Sequence, residues 1–300
     1  MYMGKEMKSQ KNPVYVIMII LAGIMWGCIG IFIRHLNAYG LTSLQITSTR
    51  CVLNVLLMAI LILLTDKSRF HIRLRDLGWF AANGLCSILV FYTAYQSSIT
   101  LTSMPTAVAL LYTAPAFVMI LSVILFHEKL TTVKMVALVL SVGGSALVSG
   151  IVGGMVFNRT GILLGLLSGL GYALYSIFGT IILRKYHAFT NVFYSFVFAA
   201  AGSICICHPA DMAGKIGKTP AVIPWIVGCA LVTSFLSYLF YTAGLSKVQA
   251  SRAAVYVCIE PVVGTVLGML LYKEKLGAAG FAGIVMVLTA ILLLNAVKEN

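Results

Sequence analysis

The sequence predicts an all-α polytopic membrane protein whose ten transmembrane helices form two inverted repeats of five. Three observations carry that expectation. Of 300 residues, 60% are hydrophobic and only 10% charged, against roughly 25% charge in a soluble domain; mean hydropathy is +1.00. Apolar stretches long enough to cross a hydrocarbon layer of ~30 Å, about 20 residues each as helix, recur along the whole chain. The second half also repeats the first at a constant offset of 146 positions.

Taken in order, span 1 (14–33) follows Lys5, Lys8 and Lys11 and runs straight to Arg34-His35. A secretory signal would have a shorter apolar core and a small-residue cleavage site, so this run reads as a retained helix. Spans 2 (44–64), 3 (77–98), 4 (105–126) and 5 (133–150) complete the first half. Spans 6 (160–183), 7 (191–208), 8 (222–243), 9 (251–272) and 10 (278–296) form the second, and the short connections leave no room for a soluble domain. Backbone groups in lipid must be paired within their own segment, which selects helices; barrel strands would be shorter and alternate in hydrophobicity. Spans 4 and 9 each carry a mid-depth proline, Pro115 and Pro261. Each removes a backbone donor and is expected to bend or open its helix.

Charge sets the expected orientation. Fourteen of the 21 Lys and Arg lie in the N-terminus, in the connections after spans 2, 4, 6, 8 and 10, or, as Lys134 and Arg252, within two residues of those connections at the starts of spans 5 and 9; six lie in the connections after spans 1, 3, 5, 7 and 9, and Arg50 lies inside span 2. The positive-inside rule then puts both termini in the cytoplasm of a cell-membrane protein. That bias accounts for the net charge of +13 without nucleic acid. The most basic connection, 66–76, fits juxtamembrane lipid contact. All seven cysteines fall within spans with no CxxC or zinc spacing, so they read as packing residues, and no metal or cofactor is expected.

Aligned at the 146-residue offset, Trp79 meets Trp225, Tyr92 meets Tyr238, Tyr95 meets Tyr241, Pro115 meets Pro261, and Glu128-Lys129-Leu130 meets Glu274-Lys275-Leu276. Eight of the 36 positions in 95–130 match their mates, where chance gives about two or three, so the chain contains an internal duplication. We divide it at 1–150 and 151–300. Five spans per copy is an odd number, so the second copy is expected upside down in the membrane. Inverted repeats are a transporter architecture with the site near the midplane, between the halves.

These residues also resemble a known family. Trp26-Gly27, Arg50, and the two copies of a proline followed by Glu-Lys-Leu, over essentially the whole chain, are similar to the EamA family of the drug/metabolite transporter superfamily. The resemblance implies ten helices in two inverted five-helix repeats and proton-linked or facilitated movement of small metabolites, often amino acids outward. It does not name the substrate, since the family's motifs are mainly structural.

Glu260 is the strongest single candidate. An acid near the midplane costs ~2.5–3.5 kcal/mol or more and belongs on a face turned to protein or water. It can couple protons, act as counter-ion for a cationic substrate, or cap backbone groups freed at Pro261. The alignment sharpens the question, because its mate is Ala114. Arg50 can snorkel outward or meet a carbonyl-rich helix end. Tyr92 and Tyr95, like Tyr238 and Tyr241, are three residues apart and share a helix face, with Gln96 beside the first pair. Tyr112 and Tyr256 precede the two prolines, Trp26 aligns with Tyr172, and Tyr175 is one turn further on. Aromatic side chains with a polar handle suit a pocket for a partly apolar or cationic ligand; the competing reading is packing, or an interfacial belt for Trp79 and Trp225. Glu128 and Glu274 are candidate gates or simple helix ends. Small-xxx-small spacings such as Gly23/Gly27 and Gly161/Gly165/Gly169 mark helix-packing seams.

The function expected is alternating-access transport of a small amino acid or related zwitterionic or cationic metabolite, with efflux favoured by the family resemblance and protons as the candidate coupling ion. The cavity is expected between spans 1, 3, 4, 6, 8 and 9. The alternatives are a membrane-embedded enzyme acting on a lipid or prenyl substrate, and a non-transporting sensor or scaffold. Substrate identity and oligomeric state are not legible.

Overall fold

The computed structural model, described over residues 13–151 and 157–296, is helical wherever hydropathy is high. Among the described residues nine helices are long and apolar enough to cross a membrane: Pro13–Ala38, Ser43–Thr65, Leu74–Leu101, Met104–Phe126, Arg159–Leu183, Ala188–Ile206, Pro220–Leu245, Ala250–Tyr272 and Ala278–Ala296. The tenth, Thr132–Val148, is a shorter apolar helix and is span 5, giving an all-α ten-helix fold. The N-terminal lysines Lys5, Lys8 and Lys11 lie outside the described residues.

The spans are interrupted at repeat-related places. Spans 4 and 9 break at Tyr112-Thr113 and at Val257-Cys258, and restart as Ala114–Phe126 and Ile259–Tyr272. Each break falls just before its proline because the ring clashes with the carbonyl four residues back, while the missing N–H is harmless in the first turn of a new helix. Spans 3 and 8 each contain a π-helical stretch, Asn83–Leu89 and Leu231–Leu236. Such stretches are rare, concentrate at functional sites and shift the register of side chains that follow. The composition does not announce them.

Packing interleaves the two halves. Span 1 lies on spans 8 and 9 and span 6 on spans 3 and 4; span 2 meets span 7, and span 5 meets span 10. Glycine makes the closest crossings. A Cβ at Gly27 would sit 2.7 Å from the Glu260 carbonyl oxygen, and one at Gly23 3.2 Å from that of Val257. Gly169, the repeat mate of Gly23, crosses the other break, where a Cβ would be 3.0 Å from the Leu110 carbonyl oxygen. The small-residue seams are thus realised as backbone contacts at the two broken helices.

The connections gather in two groups. Those after spans 2, 4, 6 and 8 meet one another: Lys185 pairs with Asp76 at 2.7 Å, the Arg184 guanidinium lies 5.1 Å from the Phe126 ring centre, and Ser251 donates to Glu128. At the other end Arg34 pairs with Glu274 at 2.9 Å, and Gln45 donates to Asp211 at 2.7 Å. One connection carries a helix of its own. Between spans 7 and 8 an amphipathic helix, Pro209–Lys218, starts on Pro209 after a left-handed His208, with Asp211 in its first turn and Lys215 and Lys218 in its last. Those charges complement the helix dipole. Met212 and Ile216 lay its apolar face on a cluster around Leu36, Ile46 and Ile226.

Candidate functional site

All six spans expected to line a cavity do so. One lobe is walled by Trp26 of span 1, Ser87, Ile88 and Phe91 of span 3, Tyr172, Tyr175 and Ser176 of span 6, and Tyr238 and Tyr241 of span 8. A second lobe shares Tyr172, Ser176 and Tyr241 and adds Tyr112, Pro115 and Val118 of span 4 and Ala254, Val257 and Cys258 of span 9. The two broken helices therefore end at the second lobe, and the two π stretches flank the first. The rings form a cage, with Trp26 edge-on to Tyr238 at 5.1 Å and to Tyr172 at 6.1 Å, and Tyr175 edge-on to Tyr238 at 4.9 Å. Polar tips are tied down: Tyr175 shares a hydrogen bond with Thr242 at 2.8 Å, and Tyr241 with Ser176 at 2.6 Å.

Glu260 lies in the first turn after the break of span 9. Its Oε2 accepts from the Tyr172 hydroxyl at 3.2 Å, and the Tyr112 hydroxyl reaches the same carboxylate. Its hydrogen-bond partners are thus tyrosines from the other elements of the cavity, and among the described residues no cation lies within ion-pair distance of it. The carboxylate is thus held beside the cavity by hydroxyl donors, with no ion-pair partner in contact among the described residues. Such an arrangement can bind a proton or the ammonium group of a ligand, whose charge the ring faces also attract.

Arg50 is 2% exposed. Its Nε donates to Ser234 Oγ at 3.0 Å and its Nη2 to the Thr233 carbonyl at 2.9 Å. Both partners lie in the π stretch of span 8, whose altered ladder leaves a carbonyl for it. The sequence reading expected Arg50 to snorkel outward or meet a helix end; it is instead buried against a carbonyl inside span 8, away from either end. The guanidinium also lies 5.1 Å from the centre of the Tyr92 ring. Span 3's π stretch is held without an ion: Asn83 donates to Asn191 at 3.1 Å and to Ser195 at 2.9 Å.

The remaining expected residues divide. Tyr92 sits against Arg50, and Tyr95 lies near Phe91 at 6.0 Å, while Phe91 takes the cavity wall in their place. Gln96 is half-buried outside the wall. Tyr256 is fully buried but turns to Asn295 of span 10 at 3.1 Å and takes a bond from Arg252 at 3.2 Å. Glu128 and Glu274 lie at opposite ends of the molecule, far from the cage in the chain's path. Trp79 is 42% exposed, and Trp225 stacks on His35 at 3.9 Å. Sequence reasoning missed Ser87, Phe91, Ser176 and Cys258. Phe91 has no polar handle, and the π stretch before it moved the face by a step that α-helical counting cannot see.

The pattern of the EamA-like transporter family matches residues 13–150 and again 159–296. An uncharacterized transporter of Archaeoglobus fulgidus is 29% identical over 277 residues, covering 92% of this chain and 96% of its own, and a second from the same organism is 25% identical over 279. An uncharacterized transporter of Bacillus subtilis, YxxF, is 23% identical over 272 residues, covering 89% of this chain and 85% of its own. A solved crystal structure superposes with a TM-score of 0.79 over 95% of this chain and 97% of its own at 14% identity, which speaks to the fold alone. Two family matches along one chain, on a ten-helix fold, place this protein in the EamA-like transporter family.

Proposed function

We propose that this protein moves a small zwitterionic or cationic metabolite, an amino acid or a close relative, across the cytoplasmic membrane by alternating access between two inverted repeats divided near residue 150. The observation that carries the substrate charge is Glu260, a carboxylate held by hydroxyls of the wall tyrosines Tyr172 and Tyr112, with Arg50 acting on it from a distance and, among the described residues, no cationic side chain in ion-pair contact with it. The grouping of connections into two sets at opposite ends supports the inverted repeat, and the lysine and arginine bias supports cytoplasmic termini. Export rather than uptake rests on the family resemblance alone, and protons are the coupling ion that a carboxylate can exchange.

Glu260→Gln, assayed in vesicles, tests this. If the carboxylate couples protons, the variant binds and exchanges substrate but does not concentrate it under a pH gradient. If it is the counter-ion, affinity falls by about 1.5–3 kcal/mol for a lost charged hydrogen bond. Unaltered binding together with unaltered pH-driven accumulation would remove Glu260 from the transport cycle.

A further inference from the structure

The glutamates that end spans 4 and 9 are repeat mates with the same backbone. His127 and Lys273, directly before them, are left-handed at φ 54 and 56°. The Glu128 N–H donates to the Ser122 carbonyl and the Glu274 N–H to that of Gly268, each at 3.3 Å; Ser122 and Gly268 are themselves mates. The side chains then part. Glu128 accepts from Ser251 and from Lys134 Nζ at 3.5 Å, and Lys134 donates to Gln249 at 2.7 Å. The side chains of Lys134 and Glu128 are 8% and 10% exposed. This network fastens the end of span 4 and the start of span 5 to the start of span 9 across the repeat boundary. Among the described residues, the Glu274 carboxylate is paired with Arg34 at the surface, both 54% exposed.

The difference is written in the chain. At the 146-residue offset, Lys134, Gln249 and Ser251 become Gly280, Ser103 and Pro105, so the opposite face lacks the ammonium and the donor that build the buried network. An exposed ion pair contributes little, whereas removing one partner of a buried one is costly. Resting on the transport reading above, we infer that Glu128, Lys134, Gln249 and Ser251 form a lock that holds the cavity shut toward the face bearing the basic connections, so that the resting protein opens toward the opposite face.

Cys258 in the cavity wall supplies the probe. In a variant that keeps only Cys258 of the seven cysteines, a membrane-impermeant maleimide applied without substrate is expected to label it from the face opposite the basic connections and not from the basic face. Glu128→Ala and Ser251→Ala each raise labelling from the basic face by about tenfold or more, since a two-state equilibrium follows the lost bias; Glu274→Ala does not. In the chain with native cysteines, Glu128→Ala is also expected to speed amide exchange at 249–257 while leaving 268–275 unchanged. Labelling from the basic face with the network intact, or labelling that neither substitution alters, overturns the lock and leaves the transport reading standing. No labelling from either face, before or after either substitution, overturns the lock. Ser251→Ala removes a neutral donor only, so the test survives if Glu128→Ala does not fold.

Discussion

Tyr172 and Tyr256 are both tyrosines near a broken helix, yet their hydroxyls serve different partners. Tyr172 donates to Glu260 across the cavity; Tyr256 donates to Asn295 and accepts from Arg252 behind it. Phenylalanine at each position separates binding from stability. Tyr172→Phe is expected to weaken binding of a cationic substrate by about 0.5–1.5 kcal/mol, the net worth of one hydrogen bond, with little change in melting temperature. Tyr256→Phe is expected to lower stability by about 1–3 kcal/mol by leaving buried partners unmet, with affinity unchanged. Calorimetric binding and thermal unfolding in detergent check both, and reversed effects would mean the cavity wall has been misplaced. The sequence made these two tyrosines look alike, because a single chain shows residue type and depth but not which neighbour a side chain faces. Glu260 stood out, since an acid at that depth is costly wherever it points.

A crossing helix reads its partner through the smallest residues. Gly27 and Gly30 are three apart in span 1, but a Cβ at Gly27 would meet the Glu260 carbonyl oxygen and Val263 at 2.7 Å, while Gly30 has nothing within 4 Å. Gly27→Ala is expected to destabilise by about 1–3 kcal/mol through overpacking at the broken helix. Gly30→Ala is expected to be neutral or to stabilise by up to about 1 kcal/mol; equal melting temperatures for the two would contradict the crossing. The amphipathic helix Pro209–Lys218 answers to pH. Lys215 and Gln45 donate to Asp211 and hold its carboxyl below its ordinary value. A depressed folded-state value means this anchorage is complete above the unfolded value and is lost as pH falls through the folded one. Amide exchange over 209–218 should therefore quicken only in acid below the normal carboxylate range, and Asp211→Asn should remove that dependence. Proline breaks and glycine seams were readable because Pro and Gly act through their own backbones. The π stretches were not, because Asn83–Leu89 and Leu231–Leu236 are ordinary helix formers whose extra residue is fixed by neighbours such as Arg50 and Asn191.

For the whole molecule, the charge bias and odd repeat predict sidedness. In a cysteine-free background, single cysteines at Asn158 and Ser68 should react with an impermeant reagent from outside and inside respectively, and the same side for both would exclude five crossings in the first half. Span count and duplication were legible because hydropathy and self-similarity need no tertiary information; the partnering of spans was not, since it depends on which faces meet. That partnering carries a consequence for how the protein is made. Span 1 leaves the ribosome long before spans 8 and 9, against which it packs, and spans 3 and 4 wait likewise for span 6. The nascent first half thus stands in the bilayer with its seams facing lipid, a client for quality control until the second half arrives. Expressed as separate polypeptides, 1–150 and 151–300 should each be degraded alone and rescue one another when made together, as subunits of an obligate heterodimer do.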